Sequence, residues 1–536
     1  MKFKLAEKYY PVLILLLGLL FYIPFLGHVH LFDWDEINFA ESAREMLLTK
    51  NYGIVQINFK PFWEKPPLFF WMQVLSMKLF GINEFAARFP NAFIGCCTLL
   101  ILYFIGKKEK NERFGLIWAL IYWGSLTPHL YFKSGIIDPS FNLFIFLGVY
   151  FSIKVQNQPT HAGLAGLFIG LAVLTKGPVG GLIWFLAMMI YWISYSRFKS
   201  IFTIKQIGAF GITCLSLTAI WIILQLQING IWFFQEFIKY QFRLFTTPDA
   251  GHGEPFYYHF VVVLIGCFPM SVFGLIQLIK KNDETFMRWM KILFWVVMIL
   301  FSLSTTKIVH YSSMAYFPLS FLAASYMYDW IHHTIKVPGW IKVFFISIGS
   351  LLALAIMAIP IVGLNADKII PYIHDQFAAK NLEAQVTWSG LETGVGLFYL
   401  IAILIAGYYL IRNVHPTRVF IIMTSSTAIL LLLTSIFLVP NIERYSQGAA
   451  IDFYQSKVGE NAYIDVVGFK SYAPYFYFKK PIDAESKMHD SDWLLNGKVD
   501  KPVYLVSKID RMEEFRNHPN LEILYEKNGF VFMKRK

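Results

Sequence analysis

Residues 428–439 read AILLLLTSIFLV, and residues 12–20 read VLILLLGLL. Neither stretch holds a charged residue, and comparable apolar runs recur along most of the chain, as in Phe141–Ile153. A helix that crosses the hydrocarbon core of a bilayer needs about 20 apolar residues. The composition agrees, since only 15% of the 536 residues are charged, against about 25% in soluble domains. We therefore expect an all-α polytopic membrane protein.

About thirteen apolar segments could cross the membrane. They centre on residues 9–27, 87–106, 113–131, 139–155, 160–175, 177–195, 204–228, 256–281, 287–304, 308–331, 338–363, 391–411 and 417–439. We read the first as a retained span rather than a cleaved signal peptide. With the basic N-terminus in the cytoplasm, alternation puts Lys107-Lys108, Arg197, Lys280-Lys281 and Arg412 on that same side, as the positive-inside rule requires. An odd number of crossings then leaves the C-terminal region outside.

The net charge of +12 is explained by lysines and arginines that flank spans, so we expect no nucleic-acid partner. All four cysteines, Cys96, Cys97, Cys214 and Cys267, lie within apolar runs. They are expected to act as small buried hydrophobes, without a disulfide framework.

Two domains are expected, a transmembrane domain over residues 1–440 and a small soluble α/β domain over residues 441–536. In the second, residues 462–467, 503–506 and 523–532 have the composition of strands, and residues 510–516 that of a helix. Lys527-Asn528-Gly529 indicates a hairpin turn.

The first outer loop, residues 28–88, is long and should carry interfacial helices. Asp33 is a plausible N-cap with Glu36 three residues later, and an amphipathic helix follows it. A second helix is expected over Leu68–Phe80, after Pro66-Pro67. Residues 227–254 carry several aromatic side chains and could also lie in the interface.

Ionisable residues gather at the outer ends of the spans. The acids are Asp35, Glu36, Glu64, Asp138, Asp249 and Glu254, and they are accompanied by Lys65, Lys133, Lys176, Arg243, His252, Lys307, His310 and Tyr311. Charged groups beside the hydrocarbon region are costly and mark functional sites. Simpler roles exist for several of them: an ion pair for Glu64 and Lys65, and a snorkelling lysine at Lys176. For Asp138 we expect a helix cap, which does not exclude a second role. Together, the residues predict one polar cavity that opens to the outside.

Such a cavity suits a transferase acting on a lipid phosphate, because cations at the membrane edge attract phosphate head groups and a carboxylate can accept a proton. A polyprenyl-lipid or sugar transporter is the alternative, although the inverted repeat expected of a transporter is absent from the sequence. A non-catalytic scaffold would leave the clustered charges unexplained.

Several motifs resemble the GT-C glycosyltransferases of the protein-mannosyltransferase and aminoarabinose-transferase type. They are Asp33-Trp34-Asp35-Glu36 with Phe39-Ala40-Glu41 and Ala43-Arg44-Glu45-Met46, then Glu64-Lys65-Pro66-Pro67, Ile137-Asp138-Pro139, Leu174-Thr175-Lys176-Gly177, His252-Gly253-Glu254-Pro255 and the segment Ser304 to Tyr311. Their order matches the family over most of the membrane portion.

The resemblance implies a polyprenyl-phosphate sugar donor, a lipid A-like glycolipid or a protein as acceptor, and transfer on the periplasmic face of a bacterial inner membrane. Attack by the acceptor opposite the phosphate would invert the anomeric centre, and we expect the protein to be a monomer. It implies catalytic roles for Asp35 and Asp138. It implies further that Lys65, Lys176, Tyr311 and Arg243 bind the donor phosphate, and that Glu64 and His252 bind a divalent metal, either Zn or Mg/Mn. One departure is Asn38, which stands where the aminoarabinose transferases carry an arginine.

Overall fold

A computed structural model describes residues 6–156, 158–248, 253–281, 284–333, 335–482 and 487–536. Helices dominate it. They are α1 (Tyr10–Tyr22), α2 (Asp35–Thr49), α3 (Leu68–Phe80), α4 (Glu84–Glu109), α5 (Glu112–Trp123), α6 (Leu126–Tyr131), α7 (Asp138–Ile153), α8 (His161–Lys176), α9 (Val179–Ser194), α10 (Ile204–Asn229), α11 (Ile231–Thr246), α12 (Tyr258–Gly266), α13 (Met270–Ile279), α14 (Thr285–Leu303), α15 (Tyr316–His333), α16 (Gly339–Leu364), α17 (Ala366–Ile369), α18 (Gln376–Asn381), α19 (Thr393–Arg412), α20 (Pro416–Phe437), α21 (Val439–Glu443), α22 (Ala449–Ser456), α23 (Ala473–Tyr477) and α24 (Ser491–Asn496). A 3₁₀ segment, Val309–Ala315, precedes α15.

Within the described ranges, six helices are long and apolar enough to cross a membrane: α4, α10, α14, α16, α19 and α20. Shorter apolar helices, α3, α7, α8, α9 and α13, lie among them. The all-α polytopic architecture is therefore confirmed, while the number of crossings stays a prediction.

Two expected spans are broken in the structure. Residues 113–131 form α5 and α6, and residues 256–281 form α12 and α13, with Pro269 at the second break. The breaks face each other, since the amide of Leu126 donates to the carbonyl of Phe268 at 3.1 Å. Proline removes a backbone donor inside a helix, so Pro269 was the local signal for the second break.

The first outer loop contains both expected helices, and α3 has the predicted bounds. Asp33 does not cap α2, however; Trp34 holds the N-cap position without a side-chain hydrogen bond. Asp33 instead accepts from the amide of Tyr472 at 3.3 Å. The charged face of α2 is also buried rather than wet, because residues from the C-terminal region cover Glu41, Arg44 and Glu45.

The C-terminal region forms a four-stranded sheet from β3 (Tyr463–Val466), β4 (Val503–Lys508), β5 (Leu521–Lys527) and β6 (Phe530–Arg535), after the small hairpin of β1 (Gln56–Ile57) and β2 (Lys60–Pro61) in the first loop. The strand order is β3-β4-β6-β5. β3 and β4 are parallel, and the other two pairs are antiparallel. Asn528 and Gly529 turn the β5–β6 hairpin with positive φ angles, as expected of an Asn-Gly turn. The boundary at residue 440 stays a prediction.

One hydrophobic core joins the two parts of the chain. Buried side chains of the apolar helices form a continuous cluster that reaches Phe530 and Phe532 of β6. Hydrogen bonds reinforce this union: the amide of Leu31 donates to the hydroxyl of Tyr477 at 2.7 Å, and Gln447 donates to the carbonyl of Leu31 at 2.8 Å. The C-terminal region is therefore docked on the first loop.

Candidate active site

A cavity of about 860 Å³ lies where α2, α7, α8 and α11 approach the 3₁₀ segment Val309–Ala315. Seven of the eight residues predicted for the site line it: Asp35, Glu64, Lys65, Asp138, Lys176, Arg243 and Tyr311. The eighth, His252, falls outside the described residues. Segments separated by more than 270 residues along the sequence thus meet in one place, as the one-sided clustering of charges predicted.

Asp138 and Lys176 form the most buried ion pair of this cavity. Nζ of Lys176 donates to Oδ1 of Asp138 at 2.5 Å, with 12% of the lysine and 4% of the aspartate side chain exposed. Asp138 begins α7 but makes no capping hydrogen bond with its side chain, so the expected capping role is wrong. Lys176 ends α8, and Gly177 follows with a φ of +95°, a conformation that favours glycine.

The same lysine faces the ring of Tyr311, with Nζ 5.0 Å from the ring centroid. This distance is within the range of a cation–π contact. Lys176 is therefore fixed on one side by a carboxylate and on another by an aromatic face. Its reading as a snorkelling lysine is wrong, because the ammonium points at protein groups and the cavity.

Lys65 and Arg243 share Tyr240 as a partner. Nζ of Lys65 donates to the hydroxyl of Tyr240 at 3.3 Å and lies 4.8 Å from its ring centroid. The guanidinium carbon of Arg243 lies 5.2 Å from the same centroid. Glu64 and Lys65 do not form the surface ion pair considered above. The tyrosine holds two cations on the α11 side of the cavity.

Asp35 is the first residue of α2, and 41% of its side chain is exposed. The residues before it are held by the C-terminal region. The indole of Trp34 donates to the carbonyl of Lys470 at 2.8 Å, and Asp33 accepts from Tyr472. Lys470 and Tyr472 also line the cavity. No local pattern in the sequence indicated that a segment more than 430 residues away would complete this wall.

A buried ion pair next to Asp35 fixes the start of α2. Glu36 receives two hydrogen bonds from Arg88, at 3.0 and 2.8 Å, and others from the amides of Phe32 and Gly135. Burial opposes ionisation of Glu36, but Arg88 and these donors outweigh it, and the pKa of Glu36 is lowered. Since Gly135 lies just before α7, Glu36 sets the position of Asp35 relative to Asp138.

His310 belongs to the set of residues predicted for the cavity, but the sequence analysis assigned it no specific role. Its Nε2 atom lies 3.6 Å from Oδ2 of Asp35 and 3.8 Å from Oδ2 of Asp138. A lone histidine in an apolar segment is usually a core residue, and the signal for the site was the place of His310 among the outer ionisable residues, next to Tyr311. His310 and Asp35 also line a second cavity, of about 1080 Å³.

Other outer residues do not join the first cavity. Lys133 donates to main-chain carbonyls of Tyr22 and Pro24, and Lys307 donates to the carbonyl of Ser304. Glu254 is exposed, and Asp249 lies outside the described residues. Of the outer ionisable residues predicted from the sequence, some therefore line the cavity and others hold the surrounding backbone in place.

Only one of the two predicted metal ligands lies among the described residues. Glu64 lines the cavity, but no group of three or more His, Cys, Asp or Glu side chains that could hold a metal occurs in the part of the chain described. Glu64 is thus the described member of the predicted ligand pair, and His252 lies outside the described residues.

This arrangement can stabilise a phosphate and activate a nucleophile in the same cavity. Lys65, Lys176 and Arg243 bring positive charge to one region, which stabilises negative charge that develops on a leaving phosphate. The half-exposed carboxylate of Asp35 can orient an incoming group or accept its proton. The wall between them carries apolar side chains such as Phe141, Leu182 and Phe301, which suit a lipid chain.

The sequence is similar to those of known glycosyltransferases. The family described as dolichyl-phosphate-mannose-protein mannosyltransferase matches residues 64–223. The chain is 25% identical to the undecaprenyl phosphate-alpha-4-amino-4-deoxy-L-arabinose arabinosyl transferase of Pectobacterium carotovorum subsp. carotovorum (strain PC1), over 97% of both chains. It is 30% identical to an uncharacterized protein of Aquifex aeolicus (strain VF5), over 59% of this chain and 72% of that protein.

The solved structures agree on the fold. The crystal structure of ArnT from Cupriavidus metallidurans bound to undecaprenyl phosphate superposes with a TM-score of 0.75 at 17% identity, covering 99% of this chain and 98% of the other. Fold and cavity together define an integral-membrane glycosyltransferase, and a transporter is not favoured. Within that class, the chain belongs to the GT-C enzymes of the protein-mannosyltransferase and aminoarabinose-transferase type.

Proposed function

We propose that this enzyme transfers 4-amino-4-deoxy-L-arabinose from undecaprenyl phosphate to a lipid A-like glycolipid, on the periplasmic face of the bacterial inner membrane. The names of the relatives supply the carrier and the sugar. The observation that carries the proposal is the cavity in which Asp35 and Asp138 meet Lys65, Lys176 and Arg243.

The donor phosphate is proposed to bind against the three cations. Lys176 is oriented by Asp138 at 2.5 Å, and Lys65 is oriented by Tyr240. Because their positions are set before the substrate arrives, these charges require little reorganisation when the phosphate leaves. The phosphate is a good leaving group, so the reaction needs no strong general acid.

Asp35 is proposed to orient the acceptor and to accept its proton. It is more exposed than Asp138, 41% against 4% of the side chain, and it borders both cavities. An acceptor that approaches from the Asp35 side attacks the anomeric carbon opposite the phosphate. Displacement from that side inverts the configuration at this carbon.

The metal at Glu64 and His252 also remains a proposal. A divalent ion held by these two residues would supply positive charge to stabilise the donor phosphate. Elemental analysis of the purified wild type and of Glu64→Ala tests it, because a site built on Glu64 predicts stoichiometric metal in the first protein and its loss in the second.

The transfer itself is tested with purified enzyme in lipid nanodiscs. Undecaprenyl-phosphate-linked aminoarabinose is the donor, lipid A the acceptor, and mass spectrometry detects the product. Asp35→Asn keeps the shape of the side chain but cannot accept the proton, so turnover should fall by about 10²-fold or more while undecaprenyl phosphate still binds.

The matched control is Asp492→Asn, which changes an exposed aspartate of α24 and should leave turnover unchanged. Mass spectrometry of envelope glycolipids and glycoproteins, with and without the gene, identifies the acceptor in cells. If the sugar is lost only from proteins, the acceptor is a protein and not a glycolipid. If Asp35→Asn turns over as fast as wild type, Asp35 has no catalytic role.

A further inference from the structure

The 3₁₀ segment before α15 presents two consecutive side chains to the first cavity, His310 and Tyr311. Nε2 of His310 lies 3.6 Å from Oδ2 of Asp35 and 3.8 Å from Oδ2 of Asp138. The position of this short segment therefore determines what surrounds both carboxylates. Groups that fix the segment in place bear directly on the site.

A buried side-chain hydrogen bond ties the segment to α7. Nδ2 of Asn142 donates to the hydroxyl of Ser313 at 2.7 Å, across 171 positions of the sequence. The same hydroxyl donates in turn to the main-chain carbonyl of His310. Asn142 is 4% exposed and Ser313 is fully buried, so both bonds lie in a low-dielectric interior, where hydrogen bonds are strong.

Asn142 is placed to relate the segment to Asp138. The two residues are four positions apart on α7, so they lie about one helical turn apart on the same face. Asn142 holds Ser313, and Ser313 holds the backbone of His310. The imidazole of His310 then returns to Asp138, at 3.8 Å. Because this path begins and ends on one helix, it sets the distance between the imidazole and the carboxylate.

The neighbouring serine is held by a different helix. Nδ1 of His259 on α12 lies 3.1 Å from the hydroxyl of Ser312, and both residues are fully buried. The segment is thus tied to α12 through one serine and to α7 through the next. Loss of the bond between Asn142 and Ser313 leaves the tie to α12 in place, so the segment should stay folded while its position relative to α7 is released.

We propose that Asn142 and Ser313 are positioning residues of this enzyme, which hold His310 at the place beside Asp35 and Asp138 that transfer requires. Neither belongs to the described lining of the first cavity, so both act through the 3₁₀ segment and not on the substrate. The inference rests on the proposed function and adds two residues to the same site. A misplacement of about 1 Å near a reacting centre can cost about 10²-fold in rate, so a small displacement of the segment is measurable.

The test compares Ser313→Ala with Ser320→Ala in the nanodisc transfer assay. Ser320 of α15 is a close match, because it is fully buried, donates to the carbonyl three residues earlier, at Phe317, and accepts from the indole of Trp118 at 2.9 Å. These partners lie outside the described lining of the cavity. Both variants should lose similar thermal stability, whereas kcat should fall by about 10-fold in Ser313→Ala and keep its wild-type value in Ser320→Ala.

Donor affinity separates positioning from binding. Lys176 is oriented by Asp138, so the proposed phosphate site does not depend on the bond between Asn142 and Ser313. Undecaprenyl phosphate should accordingly bind Ser313→Ala with nearly wild-type affinity, and the donor KM should change little. A loss confined to the donor KM would place the serine with the phosphate site and overturn its positioning role.

The double variant Asn142→Ala/Ser313→Ala shows whether the two side chains act through one bond. If they do, the double variant is no slower than the slower single variant, whereas two independent losses would multiply to about 10²-fold and contradict the proposal. Asn142→Ala leaves the serine and its bond to His310 in place, and it decides the question alone if Ser313→Ala does not fold.

Thermal unfolding of each variant shows whether it is folded. Wild-type kcat in the folded single variants, or an equal loss in Ser320→Ala, would overturn the inference, because the bond would then serve stability alone. Absence of transfer by the wild type would instead contradict the proposed function, so the two failures are distinguishable.

Discussion

The Asp138–Lys176 pair combines a structural and a binding role, and two substitutions separate them. Lys176→Met leaves Asp138 as a buried carboxylate without its cation, which costs about 3–5 kcal/mol of stability. It also removes a cation from the proposed phosphate site, so affinity for undecaprenyl phosphate should fall. Both effects are measurable on one sample, by thermal unfolding and by a lipid-binding assay.

The double variant Asp138→Asn/Lys176→Met distinguishes the two effects. Removing the carboxylate as well eliminates the unpaired charge, so much of the stability should return while the affinity for undecaprenyl phosphate stays low. Lys380→Met, which breaks an exposed pair with Glu383, serves as the control and should change neither quantity. Recovery of lipid affinity in the double variant would show that Lys176 does not bind the phosphate.

At the level of single residues, sequence identified the charged side chains but not their partners. Asp35, Lys65 and Lys176 were predicted for one cavity and line it. The capping role of Asp138 was wrong, because a carboxylate at a helix start can pair with a lysine from another helix as well as cap its own. Such a pairing depends on tertiary contacts, which local sequence does not encode.

Helix α2 carries an unusual concentration of buried charge on its covered face. Arg44 donates to both oxygens of Glu41, at 2.6 and 2.7 Å. Glu45 accepts from the amide of Phe59 at 2.7 Å, and its other oxygen has no hydrogen-bond partner among the described residues. Burial, together with the negative charge of Glu41, raises the pKa of Glu45 well above its ordinary value. Two carboxylates thus compete for one guanidinium.

The raised pKa of Glu45 makes stability depend on pH in a defined direction. A carboxyl group whose native pKa is raised stabilises the fold fully below its unfolded pKa, near 4.5, and loses this contribution as the pH rises towards the native value. Glu45→Gln cannot ionise. Its advantage in thermal unfolding temperature over the wild type should therefore be absent near pH 4.5 and grow towards pH 8.

The matched control for this prediction is Glu526→Gln, on the exposed face of β5. It should shift the unfolding temperature little at either pH. A wild type that is more stable than Glu45→Gln at pH 8 would show that Glu45 is ionised and paired in the folded protein.

At the level of elements, the apolar periodicity predicted the helices well and their interruptions poorly. The Pro66-Pro67 pair marked the start of α3, and Asn528-Gly529 marked the turn between β5 and β6. The break between α5 and α6 was missed, although Gly124 ends α5 and Ser125 precedes α6. The amide of Leu126 at this break donates to the carbonyl of Phe268 in another segment. A hydrogen bond between two distant segments of this kind leaves no signal in the local sequence.

On the scale of the whole molecule, the C-terminal sheet and the first loop form one unit around the site. Arg44 on α2 donates to the carbonyl of Lys480 at 2.8 Å, and Lys480 donates to the side chain of Asn58 at 2.6 Å. Trp34, next to Asp35, is held by the carbonyl of Lys470. The C-terminal region, for which the sequence suggested no role, therefore supports Asp35, the residue to which the catalytic role is proposed.

Because the C-terminal region and the first loop form one unit, we expect that weakening the contact between them at a residue outside the cavity impairs the reaction. Arg44→Met leaves Glu41 buried without its cation and removes the bond to Lys480, so the enzyme should lose about 3–5 kcal/mol of stability. Transfer should also fall at temperatures where the protein is still folded, because Trp34 and Asp35 depend on the same dock. Arg113→Met, which breaks the exposed pair with Glu7, should leave both unfolding temperature and kcat unchanged. Full turnover in folded Arg44→Met would mean that the first loop holds Asp35 in place without help from the C-terminal sheet.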